Sequence, residues 1–416
     1  MIKIHTLQNG LRVVTEAIPF VRSVSFGLWV NNGSRHETPA TSGISHFIEH
    51  MMFKGTQKRS ALEIAEVMDA VGGQLNAFTS KEQTCYYTRT LDTHFDVALD
   101  VISDMFFNSK YEPDEIDKER NVILEEISMY EDTPEDLCVD YLHAKVFPGH
   151  ALGMPILGTP ETIASFTQAS FKDFTTARYT PHNVVISVAG NIDDAQVLEK
   201  ITNIFGNFGM QKLLSEAFVP AVYTPGFAMR DKDIEQVHLC MGFPGIPGGT
   251  QDVYALAAVN AVFGGGMSSR LFQKIREERG LVYSVYSYNA GYADAGLFSI
   301  YAALNPAQLK DALGLITEEV QRMFTDRITP SQLSKAKEQL KSSFLLSLES
   351  AASRMSSIGR SVITLGKVVT PDELVAKIDA IDMDSFYEIC NKIFQLDKVS
   401  LSLVGKSLGD SAEKYL

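Results

Sequence analysis

The chain has 416 residues, enough for two domains of about 200 residues each and too many for one ordinary core. Apolar residues make up 45% and charged residues 21%, a balance that folds and excludes a disordered chain. The net charge of −14 argues against nucleic acid, whose phosphates call for a basic surface, and leaves room for neutral or basic partners.

Alternating Ile2, Ile4 and then Leu11, Val13 flank Asn9-Gly10, the strongest short hairpin signal. A strand is predicted over Val24–Val30, followed by a nearly all-apolar helix over Ile44–Phe53. A second helix, Ala61–Val71, runs into Gly72-Gly73, which suits a C-cap. Two strands are predicted around Gln74–Thr79 and Thr84–Thr90, then helices near His94–Phe107 and Asp114–Tyr130. A helix at Gln168–Arg178 and a β-rich run Val184–Val188 close the unit.

The order then repeats. Val24–Val30 resembles Val237–Phe243, and Met52-Phe53-Lys54-Gly55 resembles Val262-Phe263-Gly264-Gly265. Thr159-Pro160-Glu161 returns as Thr370-Pro371-Asp372, and Val188-Ala189-Gly190-Asn191 as Leu403-Val404-Gly405-Lys406. One repeat at an offset of roughly 210 residues means a duplicated domain and not a solenoid. The expected boundaries are 1–210 and 228–416, with 211–227 as linker, and the expected class is α+β, each domain a mainly antiparallel sheet packed with helices.

No stretch is apolar for long enough to span a membrane, and the N-terminal residues lack the pattern of a secretory signal. Four cysteines, Cys85, Cys138, Cys240 and Cys390, stand far apart and read as reduced core thiols. A cytoplasmic location without membrane attachment is the expectation.

The halves differ in chemistry. The run His46-Phe47-Ile48-Glu49-His50 places two imidazoles four residues apart on one helical face with a carboxylate beside them. Imidazole nitrogen is a preferred zinc donor, and a catalytic zinc takes three protein ligands and keeps one position open. This is the inverse order of the commoner His-Glu-x-x-His motif. In the second half the same register holds Leu256, Val259 and Asn260, so one copy carries the candidate site and the other has lost it. A third ligand is still required. Glu119 and Glu126, two turns apart on the predicted Asp114–Tyr130 helix, are candidates, although that spacing equally describes a solvated charged face.

The segment Gly43-Ile-Ser-His-Phe-Ile-Glu-His-Met-Met-Phe-Lys-Gly-Thr56 closely resembles the insulinase and pitrilysin superfamily of zinc peptidases, nearest its processing-peptidase branch. Gly72–Thr79, Thr84-Cys-Tyr-Tyr87, Phe263–Phe272 and Arg276-Glu-Glu-Arg-Gly-Leu-Val-Tyr283 match as well, so the resemblance covers essentially the whole chain. It implies one zinc ion per chain on His46, His50 and Glu126, with Glu49 as general base. It implies Glu119 as the carboxylate behind the ligands, and Arg276 and Tyr283 as the contribution of the second half to catalysis. It implies that Asn76, Ala77, Phe78 and Thr79 form an edge strand that binds peptide substrates. Family members enclose substrate in a chamber of four such domains, and this chain resembles the half-length members that pair, which implies a homodimer. Read without the resemblance, Arg276 is an ordinary helix charge and Tyr283 an ordinary core aromatic.

Overall fold

The computed structural model describes residues 2–209 and 219–406. In chain order the first half contains strands β1 (Ile2–Thr6), β2 (Arg12–Ala17) and β3 (Ser23–Val30), helices α1 (Ile44–Met51) and α2 (Ala61–Ala70), and strands β4 (Gln74–Thr79) and β5 (Thr84–Leu91). Helices α3 (Phe95–Asn108), α4 (Pro113–Glu131), α5 (Pro134–Val146), α6 (Pro160–Ser165) and α7 (Gln168–Arg178), strand β6 (Val184–Gly190) and helix α8 (Asp194–Phe205) complete it. The second half contains β7 (Phe227–Asp231), β8 (Val237–Pro244), α9 (Asp252–Phe263), β9 (Val282–Gly291) and β10 (Gly296–Leu304). It continues with α10 (Leu309–Thr325), α11 (Pro330–Ser347), α12 (Ala351–Leu365), α13 (Pro371–Asp379), α14 (Met383–Ile393) and β11 (Ser400–Gly405). Of the expected linker 211–227, residues 211–218 lie outside the described residues, and β7 begins at its last position.

The duplication is written in the sheets. The first is six-stranded with order β1-β2-β6-β3-β5-β4, the second five-stranded with order β7-β11-β8-β10-β9. Removing β1 makes the orders identical, strand for strand. In each, one pair is parallel (β2 with β6, β7 with β11) and the rest are antiparallel. The expected hairpin is β1–β2, and Gly10 in its turn has φ 90°, which a side chain would strain. Proline-led helices α6 and α13 start alike, each on a threonine capping box, Thr159 and Thr370. The class is α+β.

Packing divides the chain into two compact units that do not coincide with contiguous halves. Unit 1 takes residues 346–369 from the second half, and unit 2 takes residues 129–153 from the first. In unit 1, one sheet face carries the main core, where Phe26, Leu28, Phe47, Ile48, Ile102, Ile123, Phe171 and Ile186 are buried. The other face is covered by α12, whose Met355, Ile358, Val362 and Ile363 pack on Val14, Trp29, Cys85 and Val185. In unit 2 the corresponding face is covered by α5, whose Leu137, Cys138, Leu142 and Val146 pack on Cys240, Leu297, Tyr301 and Val404. All four cysteines are buried and unbridged.

Candidate metal centre

Helix α1 is held at its start by an acid. Glu37 accepts hydrogen bonds from the backbone N–H of Gly43 and of Ser45, both at 2.8 Å, placing a carboxylate against the helix N-terminus. Gly43 before the first turn has φ 91°, and a Cβ there would stand 2.7 Å from the Leu157 carbonyl oxygen, so only glycine fits. Ile44, Phe47, Ile48 and Met51 bury one side of the helix in the core. The other side carries His46, Glu49 and His50, and the two imidazole rings lie 4.5 Å apart.

Helix α4 brings the carboxylates. Glu126 Oε2 stands 3.7 Å from His46 Nε2 and 3.7 Å from His50 Nε2. Among the described residues, His46, His50 and Glu126 form a group whose ligand atoms all lie within 4.8 Å of one another. Tetrahedral zinc with bonds of about 2.0–2.1 Å separates its ligand atoms by about 3.4 Å, so a small closure suffices. His46 is buried, and its Nδ1 has no hydrogen-bond partner. Burial pushes its imidazole pKa down to about 3, aided by the neighbouring His50 and opposed by Glu119. A neutral imidazole is what a metal requires. The residues present fit a divalent ion of the zinc type.

Glu119 stands behind these donors. It is only 4% exposed, so the solvated-face reading fails for it. Its Oε1 lies 2.8 Å from His50 Nδ1, and its Oε2 lies 2.5 Å from Lys54 Nζ. A carboxylate at Nδ1 favours the tautomer that leaves the Nε2 lone pair facing Glu126, the usual support for a ligating histidine. Burial opposes ionisation of Glu119, yet hydrogen bonds from His50 and Lys54 outweigh it and hold the carboxyl below its ordinary range.

Glu49 is tied to strand β4. The Thr79 hydroxyl donates to Glu49 Oε2. Burial raises the Glu49 carboxyl pKa, while that hydrogen bond and His50 pull the other way. Strand β4 lies at the end of the sheet, and among the described residues it pairs only with β5 and no strand lies on its outer edge. Ala77 joins the α1 side of the sheet, and Phe78 packs edge-on against Trp29 on the α12 side, with ring centroids 5.7 Å apart. Asn76 is exposed.

Arg276 and Tyr283 belong to unit 2 and meet there. Both line a cavity of about 540 Å³ with Asn260, the Gly264–Gly266 loop, Phe272 and Ser287. Arg276 lies in a π-helical turn, Phe272–Glu277, a rare geometry that recurs at functional positions. Its guanidinium carbon lies 4.6 Å from the Phe272 ring centroid. Tyr283 is the extra residue of a β-bulge. Ala303 pairs with Ser284 and Leu304 with Val282, and Tyr283 is left unpaired and 76% exposed. That is no core aromatic. Asn260, the counterpart of His50, accepts a 2.7 Å hydrogen bond from Ser287 on β9 and has no imidazole to offer.

Residues 12–160 match the family model described as Insulinase (Peptidase family M16), and residues 165–340 match the one described as Peptidase M16 inactive domain. The chain belongs to the insulinase family of peptidases. Within the insulinase family, the Bacillus subtilis protein named "Uncharacterized zinc protease YmxG" is 46% identical over 98% of this chain and 99% of its own length. A Rickettsia felis protein named "Uncharacterized zinc protease" is 39% identical over 94% of each. A protease from Helicobacter pylori shares the fold with a TM-score of 0.87 at 23% identity, covering 97% of this chain and 99% of that one. A peptidase M16 inactive domain from Pseudomonas fluorescens shares it with a TM-score of 0.91 at 19% identity, covering 98% of each. The stretch matched by the model described as inactive includes Leu256 and Asn260, which stand where the first half has His46 and His50.

Three contacts at the site are absent from the expectations drawn from the sequence. Lys54 stands four residues after His50, just past the end of α1, a spacing that could have nominated it. Glu37 reaches the helix start across a loop, and the Thr79 side chain reaches Glu49 across the sheet edge; neither contact has a fixed spacing to find.

Proposed function

We propose that this chain is a zinc metalloendopeptidase that hydrolyses extended peptides or unfolded precursor segments. The observation that carries the reading is the convergence of His46 Nε2, His50 Nε2 and Glu126 Oε2, with the Glu49 carboxylate on the same helical face. His46, His50 and Glu126 would hold the ion, which when bound supplies Lewis acidity to water and to the scissile carbonyl. Glu49 takes the proton of the attacking water and returns it to the departing amine; its raised pKa suits both transfers. Glu119 orients His50. The outer edge of β4 accepts an extended peptide through main-chain hydrogen bonds of Asn76–Thr79, a mode that reads backbone more than side chains. Arg276 and Tyr283 bind substrate carbonyl oxygens, Tyr283 as a hydrogen-bond donor.

The family's half-length members pair to close a chamber, and we assign this chain the same homodimeric arrangement in the cytoplasm. Among the described residues no helix is long and apolar enough to cross a membrane. The deciding experiment is Glu49→Gln. The variant should keep one zinc per chain and lose peptide cleavage, and chelation should silence the wild type. Undiminished turnover by the variant refutes the base, and chelator-insensitive turnover refutes the metal.

A further inference from the structure

Thr79 does something that strand pairing alone does not ask of it. Main-chain pairing with a peptide uses the N–H and C=O groups of β4 and leaves the side chains free. The Thr79 side chain is not free: its hydroxyl proton goes to Glu49 Oε2, since a carboxylate can only accept. On its other side Thr79 Oγ1 lies 3.5 Å from Thr84 Oγ1, its partner across the β4–β5 register. Thr84 cannot compete for Glu49, because its own proton goes to the Asn32 carbonyl at 2.9 Å. Asn32 in turn donates to Ser45 Oγ at 3.1 Å, and Ser45 lies in the first turn of α1. Asn32, Ser45 and Thr84 are all buried.

Hydrogen bonds therefore tie Thr84 on β5 to the start of α1, and Thr79 beside it on β4 ties to Glu49 on the same helix; with both hydroxyl protons donated elsewhere, the two threonines are only in contact. The pleat of β4 is pinned from the opposite face by Phe78 against Trp29, so moving Thr79 to the other face would take a register slip. Threonine adds a stiff, β-branched χ1 to that fixed backbone.

We propose that Thr79 is the positioning residue for Glu49. It anchors one carboxylate oxygen so that the other stays free for the proton, and it makes the strand that registers the peptide also place the base. The inference rests on Glu49 acting as the base, as proposed above. Misplacing a reacting group by about an ångström costs on the order of 100-fold in rate.

The test is steady-state cleavage of one peptide by Thr79→Val, Thr79→Ala and Thr79→Ser, with zinc content and thermal melting measured on each. Removing the hydroxyl should lower kcat roughly 10- to 100-fold and leave KM and zinc content unchanged. Serine should restore kcat to within about threefold, since it keeps the donor. Should valine disturb folding, alanine decides. A second measurement separates positioning from direct substrate contact: Glu49→Gln and the double variant Glu49→Gln/Thr79→Val should bind the peptide equally well. Wild-type kcat in both hydroxyl-free variants overturns the proposal, as does a loss confined to KM, a weaker-binding double variant, or failure of serine to rescue. Because Glu49→Gln is measured alongside, its loss of cleavage with Thr79 variants unaffected sinks only the Thr79 assignment, and its retention of cleavage sinks the base itself.

Discussion

Gly359 offers a test in which two physical effects have opposite signs. It sits inside α12, where replacing glycine by alanine ordinarily stabilises a helix by about 1 kcal/mol. The structure opposes that gain. A Cβ at Gly359 would stand 2.2 Å from Trp29 Nε1, 2.6 Å from Trp29 Cε2 and 2.7 Å from Ser187 Oγ. Those are backbone-strand side chains buried under the helix, and the indole already donates to Ser187 Oγ at 2.8 Å. Forcing the helix outward costs about 1–3 kcal/mol in overpacking, and breaking the indole hydrogen bond adds about 1–3 kcal/mol for a buried donor left without a partner. Gly359→Ala should therefore destabilise unit 1 by about 1–5 kcal/mol net, roughly 2–4 °C of melting temperature per kcal/mol in a unit of this size. Trp29 is the chain's single tryptophan and is fully buried, so its fluorescence reads this contact directly. The expected result is a lower melting midpoint with tryptophan emission shifted to the red before global unfolding. A Gly359→Ala protein that melts higher, with emission unchanged, refutes the packing of α12 on this sheet.

Lys54→Met and Glu119→Gln should each weaken zinc binding about 10- to 100-fold, read by competition with a chromogenic chelator, because both loosen the support of His50; unchanged affinity in both removes that support from the account. His36 accepts a hydrogen bond from the Gly33 N–H at Nδ1, and burial, with Arg178 nearby, pushes its pKa down to about 4. The unfolded chain then binds the proton first, so the stability this residue contributes is complete above about pH 6.5 and is lost as pH falls towards 4. The loss is at most about 3 kcal/mol, and His36→Gln should flatten that part of the stability profile measured on metal-free protein. Stripping zinc should abolish cleavage while circular dichroism keeps a cooperative melt, since the three donors sit on a unit with a large apolar core of its own; a collapse of secondary structure would make the metal structural.

Much of the first half was legible because its signals are local. The strand Gln74–Thr79 and the helix Gln168–Arg178 were predicted to the residue, since alternation and helical spacing act over a few positions. The helix at Ile44 was read two residues too long: its apolar run continues to Phe53, but the helix ends at Met51 and the chain turns through Met52 and Phe53. The His46–His50 spacing marks the candidate metal-binding face, and the loss of the pattern at Leu256 and Asn260 marks the half without it.

What the sequence by itself determined was the duplication, the α+β class and the pair of histidines, because each is a pattern of residues near one another in the chain. Only the tertiary structure decided the rest. Glu119 and Glu126 are alike in spacing and charge, and what separates them is where α4 lies against α1: one is buried against His50 Nδ1 and Lys54, the other faces both Nε2 atoms. Helices α5 and α12 carry ordinary apolar positions, and nothing in them says that each covers the sheet of the other half. The reason is that burial is non-directional. An apolar face specifies that it will be covered, and the choice of partner belongs to the shape of what it meets, such as the gap at Gly359 that receives Trp29.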